Sequence, residues 1–479
     1  MRNYYLTILL LISFFSCSST ADETDANSSL TQKQLKLDSL FSSLHAAQQF
    51  NGTVLIAENG EPVYQKAFGV ADLKSERKLN LMTTFELASV SKQFTAMSIV
   101  QLQKASRLAY DDELATHIPE LNAYPGITIQ HLLTHTSGLP DYMELAEAEW
   151  DHNKIATNED IIALFSAKQP EVLFQPNEYH DYSNTGYLLL GTIIERVSGK
   201  SFEDYLQESI FQPVGMKRTF VYRRRYAPEA IKNYATGYVF SDSLNRFIVP
   251  DSLPEEHYTV YLDGIVGDGM VNSNLEDLLK WDRALYTNQL ITPAERSIIF
   301  SSYYTEDNTP TDYGFGWSVD SLKAYGKIVE HSGGWAGYVT HIERHLDHDK
   351  TIIMLQNQLS DQTELPIKNA RKILYEIPIE HPVTLDSLLL KQYAGSYLTA
   401  SGEKKSIVYR NGKLFYPINE AVDLELVPVS STKFILEGFS PEVSYTFSVT
   451  ENNTVESCRV QQPEQDIDRT LVRTTELLE

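Results

Sequence analysis

The chain has 479 residues, of which 42% are hydrophobic and 22% are charged, a composition typical of folded proteins and long enough for two or three domains. The formal net charge of -24 argues against a nucleic-acid partner, because phosphate binding needs a basic surface. Two cysteines, Cys17 and Cys458, are too few for a disulfide framework.

The first residues have the pattern of an export signal. Arg2 precedes an apolar run over residues 5–15 that is too short to span a bilayer, and Cys17 and a polar, acidic stretch follow it. We predict a signal peptide over residues 1–16, lipidation of Cys17 and a flexible tether over residues 17–34. The protein is then an exported lipoprotein of a bacterial cell envelope, facing the periplasm or the cell surface, and its membrane contact is the lipid anchor. A plain signal peptide with an incidental cysteine is the alternative.

The next segments alternate between strand and helix patterns. A helix is predicted over residues 35–49, and a hairpin follows around the turn Asn59-Gly60. The middle of the chain is mainly helical, and strand patterns return at residues 327–331, 337–344 and 351–356, before a helix at 366–376. Strands from both ends with helices between them predict an α+β domain over residues 35–380, with an antiparallel sheet flanked by helices.

The last part of the chain has a different residue pattern, which is typical of β-strands. A hairpin pattern surrounds Asn411-Gly412, and residues 443–449 alternate between apolar and polar side chains without a break. These patterns predict a small all-β domain over residues 385–479, either a sandwich or a barrel.

A Ser-x-x-Lys motif at Ser89 and Lys92 is the first candidate for chemistry. Ser89 stands before a helix that is predicted to be amphipathic, and positions three apart on a helix share a face, so Lys92 can reach the hydroxyl of Ser89. A lysine with a lowered pKa can take the proton from a serine nucleophile. Three other serines match the motif without this context: Ser75, Ser401 and Ser430.

Two further motifs follow along the chain. Tyr182 and Asn184 form a Tyr-x-Asn at the start of a predicted helix, where the phenol could shuttle protons and the amide could be a plain helix cap. His331-Ser332-Gly333-Gly334 follows a short strand pattern. Its glycines would let a substrate backbone approach closely, and His331 would offer a donor or a cation to a substrate carboxylate or carbonyl.

Ser-x-x-Lys, Tyr-x-Asn and His-x-Gly in this order resemble the serine β-lactamase and penicillin-binding-protein superfamily. The chain is most similar to its branch of class C β-lactamases, D,D-peptidases and esterases. The sequence segments at residues 84–92, 131–139, 182–187 and 313–317 also resemble that branch. The resemblance implies a β-lactamase/transpeptidase-like fold, and the terminal β domain resembles the lipocalin-like appendages of some of these hydrolases.

The resemblance also implies roles for individual residues. Ser89 would be the acylated nucleophile, Lys92 its proton partner, Tyr182 the base for deacylation, and Asn184 a ligand of the substrate amide. The backbone N–H groups of Ser89 and Gly334 would form the oxyanion hole. Which of Lys92 and Tyr182 takes the first proton stays open. His331-Ser332-Gly333 stands where class C β-lactamases have Lys-Thr-Gly, which makes efficient β-lactam hydrolysis less expected.

The function predicted from these residues is a serine acyl-enzyme hydrolase of a small ester, amide or D-amino-acid peptide, without a metal, cofactor or protein partner. Its alternatives are a true β-lactamase, a D,D-carboxypeptidase, or a non-catalytic binder or sensor. An enzyme is favoured over a binder because the nucleophile, lysine, tyrosine and histidine positions of the motifs are all present. Several histidines are predicted to have no chemical role. His341, His345 and His348 are expected at the surface, and His131 and His135 are expected to hold their loop together.

Overall fold

The computed structural model describes residues 31–419, 422–439 and 441–474. The predicted signal segment 1–16, Cys17 and all but the end of the predicted tether lie outside these residues. Among the helices of the described residues, none is both long and apolar enough to cross a bilayer.

A six-stranded antiparallel sheet forms the centre of the N-terminal region, residues 31–380. Both ends of this region supply strands, as the sequence predicted. The turn Asn59-Gly60 has both residues in the left-handed conformation that a tight hairpin requires. In spatial order the strands are Ser318–Leu322, Gly326–Trp335, Tyr338–His345, Lys350–Gln356, Gly52–Glu58 and Glu61–Phe68.

Helices cover both faces of this sheet, which confirms the predicted α+β architecture. The helix Asn184–Ser198 ends at Gly199, whose φ of 74° provides the left-handed cap that its position in the sequence predicts. The α-helices of the N-terminal region are Gln32–Ala46, Lys92–Lys104, Leu114–His117, Ile129–Leu133, Tyr142–Glu149, Asn158–Lys168, Asn184–Ser198, Phe202–Leu206, Gln212–Val214, Tyr258–Tyr261, Leu275–Tyr286, Pro293–Ile299 and Ile367–Leu374.

The strand Gly52–Glu58 shows how the two faces are buried. Leu55 packs into the large core formed with the helical middle of the chain, and Val54 packs into a smaller core under the first and last helices of the region. Short strands tie the helical middle together, at Val70–Asp72, Arg77–Lys78, Phe85–Glu86, Phe220–Val221, Tyr238–Ser241, Arg246–Ile248, Val271–Ser273 and Gln358–Leu359.

The C-terminal strands close into an eight-stranded antiparallel barrel, preceded by the helix Ser387–Tyr393. The first strand pairs with the last, for example through Ser396 and Thr474, so the barrel has no free edge. Aromatic rings fill its interior, and the Cys458 thiol lies there fully buried. The strands are Gly395–Leu398, Lys404–Arg410, Lys413–Pro417, Asp423–Pro428, Lys433–Leu436, Ser444–Val449, Val455–Gln462 and Ile467–Thr474.

Ion pairs join the barrel to the N-terminal region. The Lys372 ammonium lies 3.0 Å from both carboxylate oxygens of Glu442, and Lys433 lies 2.5 Å from Glu380. Lys372 belongs to the last helix of the N-terminal region, so that helix contacts both the sheet and the barrel. The all-β C-terminal part is confirmed, while the boundaries 35–380 and 385–479 stay predictions.

Candidate active site

Ser89 lies in a turn of 3₁₀ helix, Ala88–Ser91, directly before the helix Lys92–Lys104. Ala88 has a φ of 49°, which is strained for a residue with a side chain. The Thr340 hydroxyl holds the turn, donating a 2.7 Å hydrogen bond to the Leu87 carbonyl. The following helix was predicted to be amphipathic, and this is wrong: residues 92–100 are all buried, because the sheet and other helices surround it.

The Lys92 side chain is fully buried beside Ser89. Its Nζ lies 3.0 Å from the Ser89 Oγ, 2.9 Å from the Asn184 Oδ1 and 3.0 Å from the Asp268 carbonyl oxygen. Three acceptors match the three N–H donors of an ammonium. A neutral amine in the same place would keep two donors and offer its lone pair to the serine hydroxyl.

Asn184 is held by an acidic neighbour that the sequence analysis did not identify. The Asp141 Oδ2 accepts hydrogen bonds from the backbone N–H of Asn184, at 2.9 Å, and from its Nδ2, at 3.0 Å. The side chain therefore does not act as a simple helix cap. A second Nδ2 contact reaches the sulfur of Met143 at 3.8 Å, a weak acceptor that a substrate carbonyl could replace.

Tyr182 covers Lys92 with the face of its ring. The Lys92 Nζ lies 5.1 Å from the ring centroid, and the Tyr182 side chain is 40% exposed. No hydrogen bond to the Tyr182 hydroxyl occurs within the described part of the chain. The ring packs on the buried His135, 4.3 Å between centroids, and His135 has a φ of 56°. Burial, followed by the charge of Lys92, holds the pKa of His135 well below its usual range.

His131 and His135 both serve local structure, as expected. The His131 Nδ1 accepts a hydrogen bond from the Thr128 N–H, and the His135 Nδ1 accepts one from the Ser183 N–H at 3.2 Å. The second contact fixes the residue between Tyr182 and Asn184 relative to the loop of His135.

His331 uses both ring nitrogens within the protein. Its Nδ1 donates to the Ser332 carbonyl oxygen at 2.6 Å, so the neutral ring accepts at Nε2 from the Tyr313 hydroxyl at 2.9 Å. Burial, with the nearby charge of Lys92, lowers the pKa of His331 to about 3. In this arrangement the neutral ring has its only N–H occupied by the Ser332 carbonyl, so the role of His331 as a donor or cation for a substrate stays a prediction.

The two glycines after Ser332 differ in what approaches them. A side chain at Gly333 would meet the Leu87 carbonyl oxygen at 2.2 Å and the Thr340 Oγ1 at 2.4 Å, whereas Gly334 faces open space. Gly333 therefore makes room for the turn that carries Ser89, and only Gly334 fits the predicted approach of a substrate. The exposed Ser332 hydroxyl bonds the His341 Nδ1 at 2.9 Å.

The expectation that the later histidines lie at the surface is wrong for His341 and His345, and only His348 is exposed. Their rings lie 3.2 and 2.5 Å from the buried Glu343 carboxylate. Glu330, His341 and Glu343 are close enough to hold a metal ion. The Arg371 guanidinium already occupies this place, with bonds of 2.7 Å to both Glu343 oxygens and 2.9 Å to Glu330.

Two cavities open on either side of Ser89. The first, about 310 Å³, also has Asn184 and Gly334 in its wall, and the second, about 460 Å³, has Tyr182, His331 and Ser332. The structure thus brings all eight predicted residues to one place, with Lys92 beneath Ser89 and Gly333 behind it.

Three residues of the site were not identified from the sequence. Asp141 follows Pro140 at the start of a helix, so a helix-cap pattern was visible there, although its bond to Asn184 was not. Tyr313 is the hydrogen-bond partner of His331 and lies in the segment 313–317, which resembles the same family branch. The backbone carbonyl of Asp268 had no sequence signal, since every residue has one.

Comparison with known proteins agrees with this geometry. The family model described as Beta-lactamase matches residues 37–376. Penicillin-binding protein 4* of Bacillus subtilis (strain 168) is 43% identical over 424 residues, 86% of this chain and 94% of that protein. The octameric penicillin-binding protein homologue from Pyrococcus abyssi superposes with a TM-score of 0.62 at 24% identity, over 91% of this chain and 99% of that one.

A D-amino acid amidase from Ochrobactrum anthropi SV3 has the same fold. Its TM-score is 0.59 at 21% identity, over 73% of this chain and 100% of that one. The family model covers residues 37–376, which include the Ser89, Tyr182 and His331 motifs, and the match to the Bacillus relative extends over most of the chain. The chain therefore belongs to the β-lactamase family and is a serine hydrolase of a small-molecule or peptide substrate.

Proposed function

We propose that this hydrolase works through an acyl-enzyme on Ser89 and that its substrates are esters, neutral amides or D-amino-acid peptides. The contact that carries the proposal is the 3.0 Å distance between the buried Lys92 Nζ and the Ser89 Oγ, at the opening of two cavities. A nucleophile, a proton acceptor within hydrogen-bond reach and room for a reacting group are the requirements of acyl transfer.

The proposed cycle has two steps. The Ser89 oxygen attacks the substrate carbonyl, its proton passes to Lys92 or Tyr182, and the leaving alcohol or amine departs with a proton as the ester to Ser89 forms. Water then attacks that ester, Tyr182 takes the water proton, and the acid leaves as the Ser89 hydroxyl regains its proton. The backbone N–H groups of Ser89 and Gly334 are proposed to stabilise the oxyanion in both steps.

The charges in the two cavity walls disfavour anionic substrates. Glu86 and Asp268 line the first cavity, and Asp312 and Glu330 line the second, whereas neither wall has a lysine or arginine among the described residues. His331 is uncharged, so it does not replace the cation of a Lys-Thr-Gly motif. An anionic penicillin or cephalosporin would gain no ion pair there.

D,D-carboxypeptidase action is the second candidate. The 43% identity to a protein named penicillin-binding protein 4* favours acylation by a lactam or a D-peptide, and the amidase fold favours a D-amino-acid amide. Slow acylation by penicillin agrees with either candidate, since binding a lactam does not require its efficient hydrolysis.

Labelling followed by mass spectrometry tests the nucleophile. The protein is treated with a fluorophosphonate and, separately, with a penicillin, and the modified peptide is identified. We expect one adduct, on Ser89, and none in Ser89→Ala. Ser75→Ala is the matched control, because Ser75 also begins a Ser-x-x-Lys but is exposed. An adduct that persists in Ser89→Ala would contradict the proposal.

Steady-state kinetics test the substrate class. We expect measurable hydrolysis of a short-chain p-nitrophenyl ester and absent or far slower hydrolysis of a cephalosporin. Efficient cephalosporin hydrolysis with negligible ester turnover would instead identify a true β-lactamase.

We also propose that the protein is exported and lipidated at Cys17. The support is the sequence of the first residues and the relatives named as bacterial penicillin-binding proteins. Mature protein should begin at a lipid-modified Cys17 and partition with membranes. An unmodified N-terminus, or soluble material that still carries Arg2, would contradict this.

A further inference from the structure

The first cavity beside Ser89 combines an apolar wall with a buried acid. Its volume of about 310 Å³ suits a single amino-acid side chain rather than an extended polymer. Glu86 lies in the same wall as Ser89. Apolar side chains contribute most of the remaining surface: Met143, Leu262, Ile265, Met270, Trp335, Val339 and Leu359.

The Glu86 carboxyl group has no partner in the described residues. The side chain is only 6% exposed, and no hydrogen bond or ion pair to it occurs there. Two nearby arginines lower its pKa through their charge, but Arg224 and Arg225 are both paired with Asp251. Neither Glu86 oxygen is among the fully enclosed unpartnered atoms of the described residues, so the carboxyl is accessible from the cavity and can bind a ligand group there.

The other polar side chains near Glu86 already have hydrogen-bond or ion-pair partners within the protein. The Asp263 carboxylate, which opposes ionisation of Glu86, is paired with Arg225 at 2.9 Å. The Tyr338 hydroxyl donates to the Ala235 carbonyl at 2.8 Å, and the adjacent Tyr234 hydroxyl lies 3.0 Å from it.

Backbone hydrogen bonds fix the short strand that carries Glu86. Glu86 pairs with Asn272 in a short antiparallel ladder, and the next residue, Leu87, donates its N–H to the Val271 carbonyl. Asp268 is the second carboxyl of the wall, but it already accepts from the Tyr142 hydroxyl at 2.9 Å. Burial, with the charge of Asp263, raises the pKa of Glu86 to about 7.

We infer that Glu86 binds a primary amino group on the acyl portion of the substrate, while the apolar wall holds the rest of that acyl group. The inference rests on the proposed acyl-enzyme function and narrows its substrates to amino-bearing amides, esters and peptides. The amino group can be on the α-carbon or at the end of a side chain, and both give the same ammonium–carboxylate contact.

Calorimetry on the Ser89→Ala protein tests this without turnover. Phenylalanine amide is compared with 3-phenylpropanamide, and 6-aminohexanamide with hexanamide, at pH 7.4. At least one amine should bind about tenfold or more tightly than its partner, as a charged hydrogen bond implies, and Glu86→Gln should remove that preference. Glu144→Gln is the matched control, because this exposed acid neighbours Met143 but lies outside the cavity wall; it should keep the preference.

A pH series on the same folded protein provides a second measurement. With a pKa of about 7 for Glu86, the affinity for 6-aminohexanamide should fall about tenfold from pH 8 to pH 6, since the ligand amine stays charged, and that for hexanamide should not change. The absence of an amine preference in both pairs, or its survival in Glu86→Gln, would overturn the inference. An amine preference in Ser89→Ala, together with no hydrolysis of any ester or amide by the unmodified protein, would overturn the proposed function instead.

Discussion

Acidification should weaken the fold through His331, because the site holds its ring neutral. The ring is 6% exposed, its Nδ1–H is used by the Ser332 carbonyl, and its Nε2 accepts from Tyr313. A second proton would remove that acceptor and place a positive charge near Lys92. The pKa of His331 is accordingly lowered to about 3, mainly by burial.

The size of the effect follows from linkage. An unfolded histidine has a pKa of about 6.5, so between about pH 6.5 and pH 3 the unfolded chain binds more protons than the folded protein. The stability is therefore fully present above pH 6.5 and is lost as the pH falls toward 3. Between pH 8 and pH 5 the loss from His331 alone is about 2 kcal/mol.

Urea unfolding at pH 8 and pH 5 measures this loss. All four tryptophans, at positions 150, 281, 317 and 335, precede the barrel, so their fluorescence reports on the N-terminal region. From pH 8 to pH 5 the unmodified protein should lose about 2 kcal/mol more of its free energy of unfolding than His331→Gln does. His348→Gln, which changes an exposed histidine, should behave like the unmodified protein. Equal losses in all three proteins would refute a neutral, buried His331.

Three substitutions test the catalytic assignments. Ser89→Ala should reduce ester hydrolysis on the order of 10³-fold or more with an unchanged circular dichroism spectrum, and comparable activity would remove Ser89 as the nucleophile. Lys92→Met should slow acylation roughly 10²- to 10⁴-fold and lower the free energy of unfolding by about 1–3 kcal/mol, because the Asp268 carbonyl and Asn184 Oδ1 lose their donor. In stopped-flow labelling, normal acylation of Lys92→Met would assign the first proton transfer to Tyr182. His331→Lys should raise the cephalosporin-to-ester ratio of kcat/KM, and an unchanged ratio would show that this position does not select charge.

The local pattern of the sequence was sufficient for most elements of the fold. Asn59-Gly60 and Asn411-Gly412 mark hairpins because their backbone conformation is local, and Gly199 ends its helix for the same reason. The barrel strands follow from alternation of apolar and polar residues. Whether they formed a sandwich or a barrel depended on pairing between the first and last strands, residues 395–398 and 467–474, which no local pattern reports.

Burial by distant segments could not be read from the sequence. His341 and His345 are four residues apart on one strand, so the sequence predicts that they share a face of the sheet. It does not predict which segment of the chain covers that face. The helix Ile367–Leu374 covers that face and supplies Arg371 to the Glu343 carboxylate. The helix after Ser89 has polar residues on one side, which is why the sequence predicted an exposed face. Distant segments bury these polar residues and supply their partners: the Trp281 indole N–H donates to the Gln93 side-chain oxygen at 2.9 Å.

The glycines after His331 show where motif reasoning reaches its limit. A glycine in a motif indicates that something approaches the backbone closely, but not whether that something is substrate or protein. At Gly333 it is the Leu87 carbonyl, so this glycine sets the depth at which the strained Ala88–Ser91 turn packs on the sheet. Gly334 faces the open cavity. One glycine thus packs against the turn that carries Ser89 and the next leaves open space in the cavity, although the sequence presents them as a single repeat.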